Sequence, residues 1–478
     1  MNKQWESVIG LEVHLQLKTG TKVWCSCSTD YDSDKPNTHT CPICLGHPGA
    51  LPKLNKKVLE YAIKAGLALN CKINNESTFD RKNYFYPDTP KNYQITQFDN
   101  SYAGKGYLNI NVNGKERTIG ITKIQIEEDA GKSIHGANES YINFNRASMP
   151  LIEIISEPDM RSSNEAYEYL TLLRNTLKYT RISDVSMELG SLRCDANISV
   201  HHKGEPFGTR VEVKNLNSFK AVARAIDYEI NRQINVIEAG GEIHQETRNW
   251  DDETQITKIM RSKEEAMDYR YFPEPDLLKV VVTDEEISKI KETMPEDIVA
   301  KINRFVTDYK IPQYDADILC LDIELANYFE KVVKESNNPK ISSSWILNEV
   351  LKYLKDNHME IGNFPISPED LGKIIKLIDK DVISSKIAKK LFEIKLNDKR
   401  DPEVIVKEEK MAQVADSGAI EALVDDVLKN NPKLIEDYHN ADEGRKPRVL
   451  KGLMGQCMKL SKGKANPKMV TDLLLKKL

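Results

Sequence analysis

Glu12 and His14 stand two residues apart in Ser7-Val8-Ile9-Gly10-Leu11-Glu12-Val13-His14-Leu15-Gln16-Leu17. Side chains of a strand alternate between faces, so Ile9, Leu11, Val13, Leu15 and Leu17 share one face, and Glu12, His14 and Gln16 share the other. A carboxylate and an imidazole on one rigid strand can begin a metal or proton-transfer site. A solvated polar face shows the same alternation, so the choice depends on what other strands bring to that face. Several bring charged groups. Glu128 lies in the acidic run Glu127-Glu128-Asp129, and Glu153 lies in 151–157. Arg193, Asp195 and Asn197 alternate with apolar residues in 192–200, as do Arg210, Glu212 and Lys214 in 210–214. Oxygen ligands for Mg²⁺ together with cations for phosphate charge are the mixture that Mg-dependent phosphoryl transfer needs. Ala130-Gly131-Lys132-Ser133 looks like the end of a phosphate-binding P-loop, but Ile126 stands where that motif needs its first Gly, so no P-loop is expected.

Cys25, Cys27, Cys41 and Cys44 form a second chemical group, two close pairs separated by a short loop. Four thiolates spaced this way can surround Zn²⁺ tetrahedrally, and such a closed site holds a loop, here 25–44, rather than doing chemistry. Reduced thiols without metal are the alternative, with His39 and His47 as substitute ligands. Cys71, Cys194, Cys320 and Cys457 are scattered and read as core thiols. A third group is basic. From Leu450 to Leu478 there are seven lysines and one acid, and 462–468 reads as a turn between two short helices, suited to a phosphate backbone.

The elements that must position these groups follow from pattern. Strands with one apolar and one charged face predict an antiparallel sheet with helices behind it and an open polar face in front, an α+β fold. Asn113-Gly114 between 107–112 and 118–126 predicts a hairpin. Asn55 caps an expected helix over 56–69. The stretch 79–94 mixes aromatics with Arg, Lys and Asn around Pro87 and Pro90, and reads as a structured binding loop. Beyond about residue 290 helical periodicity takes over. Three domains are expected: 1–292 with the sheet, 293–402 helical, and a helical tail over 403–478. A net charge of −5 excludes a general nucleic-acid binder and leaves local basic patches. No apolar run of about 18 residues or signal-type N-terminus is present, so a cytoplasmic location without membrane is expected.

Long stretches also resemble one family, the GatB family, the B subunits of bacterial aspartyl/glutamyl-tRNA amidotransferases. The resemblance is carried by 8–14, 79–87, 127–132, 150–154, 190–197, 213–218, 268–276 and 462–467. It implies the kinase half of a three-subunit ligase, working with an amidase subunit (A) and a small subunit (C). ATP would phosphorylate the side-chain carboxylate of misacylated Glu-tRNA(Gln) or Asp-tRNA(Asn), and ammonia from glutamine would then displace phosphate. It further implies a cradle-shaped sheet resembling glutamine synthetase, then a helical domain and a tRNA-holding tail. The family's Mg²⁺ ligands map onto His14, Glu128 and Glu153, with Glu12 adjacent and Glu127 as the alternative to Glu128. Beyond the resemblance, Arg193, Arg210 and Lys214 are expected on phosphates. Ser191, Asn197 and Glu212 are expected at ATP or the aminoacyl end, and Lys459, Lys462, Lys464 and Lys468 on tRNA. Ser148 stands where the family often has Gly. The rival reading is a non-catalytic, zinc-containing tRNA-binding scaffold.

Overall fold

The apolar face of the first strand, β1 (Trp5–Gln16), is sealed from water: Ile9, Leu11, Val13 and Leu15 are at most 1% exposed. Strand β1 is central in an eight-stranded sheet. The other strands are β2 (Gly106–Val112), β3 (Lys115–Glu128), β4 (Pro150–Ser156), β5 (Leu192–His202), β6 (Val211–Lys214), β7 (Glu246–Asp251) and β8 (Ile256–Ser262). The spatial order is β8-β7-β6-β5-β1-β4-β3-β2, antiparallel throughout except for the β6–β7 pair. The fold is therefore α+β, as expected.

Helices α1 (Lys56–Ala68), α2 (Ser163–Tyr179) and α3 (Phe219–Glu238) cover the apolar face with residues such as Ile63, Leu173 and Ile226. Each such side chain removed from water contributes roughly 1.5–3 kcal/mol, so one face of the sheet carries the stability and leaves the other free for polar groups. Asn55 accepts a hydrogen bond from Lys57 N and caps α1. The β2–β3 turn is made by Asn113 and Gly114, both with positive φ (52° and 77°), the backbone that a two-residue hairpin requires. Strand β3 carries an irregularity between Ile121 and Lys123. Ile119 and Ile121 are buried before it, and Ile124 and Ile126 after it, so the inward parity switches from odd to even.

The expected loop over 79–94 is more regular than its prolines suggest. Asp80–Asn83 pairs with Tyr93–Thr96 and with Phe272–Pro273 in a separate three-stranded sheet, and Pro87 and Pro90 lie in the connection. The structure, a computed structural model, describes residues 4–31, 35–136, 138–262, 266–412, 417–442, 444–461 and 465–478. They divide into two units, Met1–Ile298 and Val299–Leu478. The second unit is helical. Within it, Ser417–Asn430, Lys446–Leu460 and Pro467–Lys477 share a small core built on Val424, Leu453, Cys457, Val470 and Leu474. No described helix is long and apolar enough to cross a membrane.

Candidate active site

Strand register builds the polar face in rows. Residues directly opposite one another on paired strands stand side by side on one face. One row runs Gln125, Glu153, His14, Arg193 across β3, β4, β1 and β5. The next runs Lys123, Ile155, Glu12, Asp195 over the same strands. A third runs Asn197, Glu212, Thr247 across β5, β6 and β7. Most of these line an open cavity of about 730 Å³, which is also lined by Lys82, Tyr84 and Tyr86 from the small sheet and its loop, and by Phe98, Tyr269 and Tyr271.

His14 and Glu153 line this cavity; His14 Nε2 lies 3.5 Å from Glu153 Oε1 and 3.7 Å from Oε2 of the buried Glu127. The three residues offer ligand atoms that all lie within 4.8 Å of one another, a spacing that one metal ion can bridge. The acids are held in place from behind. Thr96 Oγ1 donates to Glu127 Oε1 at 2.7 Å, and Gln125 Nε2 donates to Glu127 Oε1 at 3.1 Å and also to Glu153. Burial, then the charge of Glu127, push the Glu153 carboxyl up to about 7, against the opposing pull of His14. A buried acid pair of this kind is a place where a divalent cation would replace missing solvation.

Glu128, expected in this cluster, is not in it. The bulge before Ile124 puts even-numbered residues on the core side, and Glu128 turns away to Lys91 Nζ (2.6 Å), Ile95 N (2.9 Å) and Ser148 Oγ (2.6 Å). Glu127 takes its place. Ser148 keeps φ at +64°, the left-handed region favouring Gly, and uses its hydroxyl on Glu128.

The remaining sequence candidates separate. Arg210, Glu212 and Lys214 line the cavity with Glu12 and His14. Lys214 pairs with Asp195 and, at 3.2 Å, with Glu212. Burial opposes its charge, but those two carboxylates outweigh burial and raise its pKa. Thr247 Oγ1 donates to Glu212 at 2.8 Å, and Asn197 Nδ2 donates to Glu12 at 2.9 Å, so Asn197 supports a cavity acid from a buried position. Arg193 does not line the cavity: its guanidinium is drawn to Asp129 at 2.6 Å. Ser191 does not line it either; its hydroxyl closes a turn, accepting from Ser186 N and donating to Ser186 O. Lys82, Lys123 and Gln125 line the cavity without being sequence candidates. The alternation Lys123, Gln125, Glu127 after the broken phase Ile121-Thr122-Lys123-Ile124 carried the signal for two of them.

The four thiols converge as their spacing predicts: Cys25, Cys27, Cys41 and Cys44 offer sulfurs within 4.8 Å of one another. Cys44 is fully buried, and its thiol is pushed down by a hydrogen bond with Cys25, against burial, with help from the Lys22 charge; Cys25 is pushed up in turn. Lys22 is itself fully buried and sits 3.7 Å from Cys44 Sγ while donating to His39 O at 2.8 Å. A buried cation beside a group of thiols fits a cluster that carries net negative charge when it holds a metal. In the helical unit Lys459 and Lys468 are exposed, and Asn466 caps the helix that begins beside Lys468. Lys462 and Lys464 lie outside the described residues.

Residues 7–288 match the family model of the GatB/GatE catalytic domain, and residues 327–478 match that of the GatB domain. The chain is 70% identical to a Fusobacterium nucleatum protein named as the B subunit of aspartyl/glutamyl-tRNA(Asn/Gln) amidotransferase, with 100% of each chain covered. Proteins of the same name from Carboxydothermus hydrogenoformans and Persephonella marina are 52% and 50% identical, covering 100% and 98% of this chain and 99% of each relative.

Proposed function

We propose, from the premise that this chain belongs to the GatB family of tRNA amidotransferase B subunits, that its sheet unit activates the side-chain carboxylate of Glu-tRNA(Gln) or Asp-tRNA(Asn) with ATP and hands it to ammonia. The observation that carries this reading is the convergence of His14 and Glu153, which line an open cavity that also presents lysines, with the buried Glu127.

The chemistry explains why such a site is needed. A carboxylate resists ammonia because its leaving group would be oxide; phosphorylation replaces that with phosphate. A carboxylate oxygen attacks the γ-phosphorus, the bond to the bridging oxygen breaks, and ADP departs. Ammonia then adds to the acyl carbon, phosphate leaves with the bonding pair, and the amide remains. Positioning and charge neutralisation are the protein's task. His14, Glu127 and Glu153 would hold Mg²⁺, an ion that prefers oxygen, so the two acids are the stronger ligands. When bound, Mg²⁺ neutralises phosphate charge and polarises its oxygens. Gln125 and Thr96 hold the two acids beside His14. Arg210 and Lys214 lie on the wall where the triphosphate would run, with Glu212 and Asn197 fixing Lys214 and Glu12. Ammonia would come from glutamine through an amidase partner (A), assembled with a small C subunit in the cytoplasm. Cys25, Cys27, Cys41 and Cys44 would hold a structural Zn²⁺ that fixes loop 25–44, and Lys459, Lys462, Lys464 and Lys468 would meet tRNA phosphates.

The test is the assembled enzyme with each misacylated tRNA, glutamine and ATP, scored for amide product and ADP. Glu127→Gln and Glu153→Gln should each abolish tRNA-dependent ADP formation while tRNA still binds. Full ADP formation in both variants would reject the metal assignment, and a wild-type enzyme that makes amide without ADP would reject the phosphorylation step.

A further inference from the structure

Lys82 belongs to the small three-stranded sheet, not the large one, and lines the same cavity as His14. Its ammonium sits over the Tyr269 ring, 4.8 Å from the centroid. Among the described residues its ammonium has no hydrogen-bond acceptor or ion-pair partner, and it lines the cavity that His14 and Glu153 also line. The neighbouring cations are differently placed. Lys123 Nζ is tied to Phe98 O at 2.7 Å, Lys214 is shared between Asp195 and Glu212, Arg193 is held by Asp129 outside the cavity, and Arg210, which also lines it, is exposed to solvent. Burial works against charge on Lys82, but the nearby carboxylates, Glu127 first and then Glu153, outweigh it and raise its pKa.

We infer that Lys82 is a catalytic residue whose ammonium binds the transferring phosphoryl group, in the same cavity as the acids that would hold the metal. The inference rests on the phosphorylation reading and adds a residue to it. An ammonium with open donors has its binding capacity free for the oxygens that gather charge as the γ-phosphorus passes between ADP and the substrate carboxylate. The aromatic ring beneath it sets its position without using a donor, since a ring attracts the cation through its face. The bland reading, a counter-ion that merely offsets Glu127 and Glu153, makes a different prediction. A pure counter-ion becomes dispensable once the metal is bound, whereas a phosphoryl ligand does not.

The experiment uses the full chain in its assembled enzyme, comparing wild type with Lys82→Met and Lys82→Arg at saturating Mg²⁺. It reads tRNA-dependent ADP formation, with Mn²⁺ affinity by spin resonance as the control for an intact metal site. Lys82→Met should lose about 100-fold or more in the turnover number, the scale of one removed charge-stabilising donor, while Mn²⁺ binds at least as tightly as in wild type. Lys82→Arg should recover part of the rate. ADP formation within threefold of wild type in a Lys82→Met enzyme saturated with metal would overturn the assignment and leave the phosphorylation reading standing. So would loss of Mn²⁺ binding in both variants, which marks a structural role. Absence of tRNA-dependent ADP in the wild-type enzyme would instead overturn the phosphorylation reading, and this inference with it.

Discussion

Glu153 offers the sharpest perturbation. Its carboxyl is raised from 4.5 to about 7, first by burial and then by Glu127. A raised acid keeps its proton in the folded chain where the unfolded chain has already lost it. Stability is therefore full below about pH 4.5, falls as pH climbs to about 7, and stays lowered above that. At about 1.36 kcal/mol per unit, the penalty in the metal-free protein reaches about 3 kcal/mol near pH 8 and is below about 1 kcal/mol near pH 5. Glu153→Gln removes the ionisation and keeps the shape, and the amide oxygen can still accept from Gln125. In EDTA the variant should exceed wild type by about 2–3 kcal/mol near pH 8 and match it within about 1 kcal/mol near pH 5. Mg²⁺ should stabilise wild type near pH 8 and leave the variant unmoved, because the ion substitutes for the missing solvation only where both acids are present. Urea unfolding provides the measurement, with amide exchange in β1 and β4 read in parallel so that the sheet unit is followed separately from the helical one. Identical pH slopes in wild type and variant would refute the reasoning, and so would equal stabilisation by Mg²⁺.

Other consequences can be checked independently. Lys91→Met leaves the Glu128 carboxylate buried and unpaired, so it should cost about 3–5 kcal/mol in urea unfolding, and Glu128→Leu added to it should recover most of the loss. Elemental analysis should find one Zn²⁺ per chain, absent in a Cys41→Ser/Cys44→Ser variant whose loop 25–44 becomes a protease site. Lys459→Ala with Lys468→Ala should weaken tRNA binding and lower the log–log salt slope by up to about 2, while glutamine hydrolysis by the partner stays unchanged.

Strand alternation around Glu12 and His14, the Asn113-Gly114 hairpin, the paired cysteines and the shift to helices were all determined by local sequence, because side-chain parity, turn stereochemistry and ligand spacing are properties of a few consecutive residues. The family resemblance was legible for a similar reason, since its motifs are contiguous. What only the tertiary structure decided is which acid of Glu127-Glu128-Asp129 meets His14 and Glu153. A bulge between Ile121 and Lys123 reverses the parity of β3, sending Glu127 to His14 and Glu153 and Glu128 to Lys91. The fate of the cations was likewise tertiary. Arg193 shares a row with His14 yet is drawn away by Asp129, and Lys82 enters from a second sheet whose pairing joins residues nearly two hundred positions apart. Strand parity says which neighbours a side chain has along its own segment. The partner it finally meets depends on charges and registers that fold in from elsewhere.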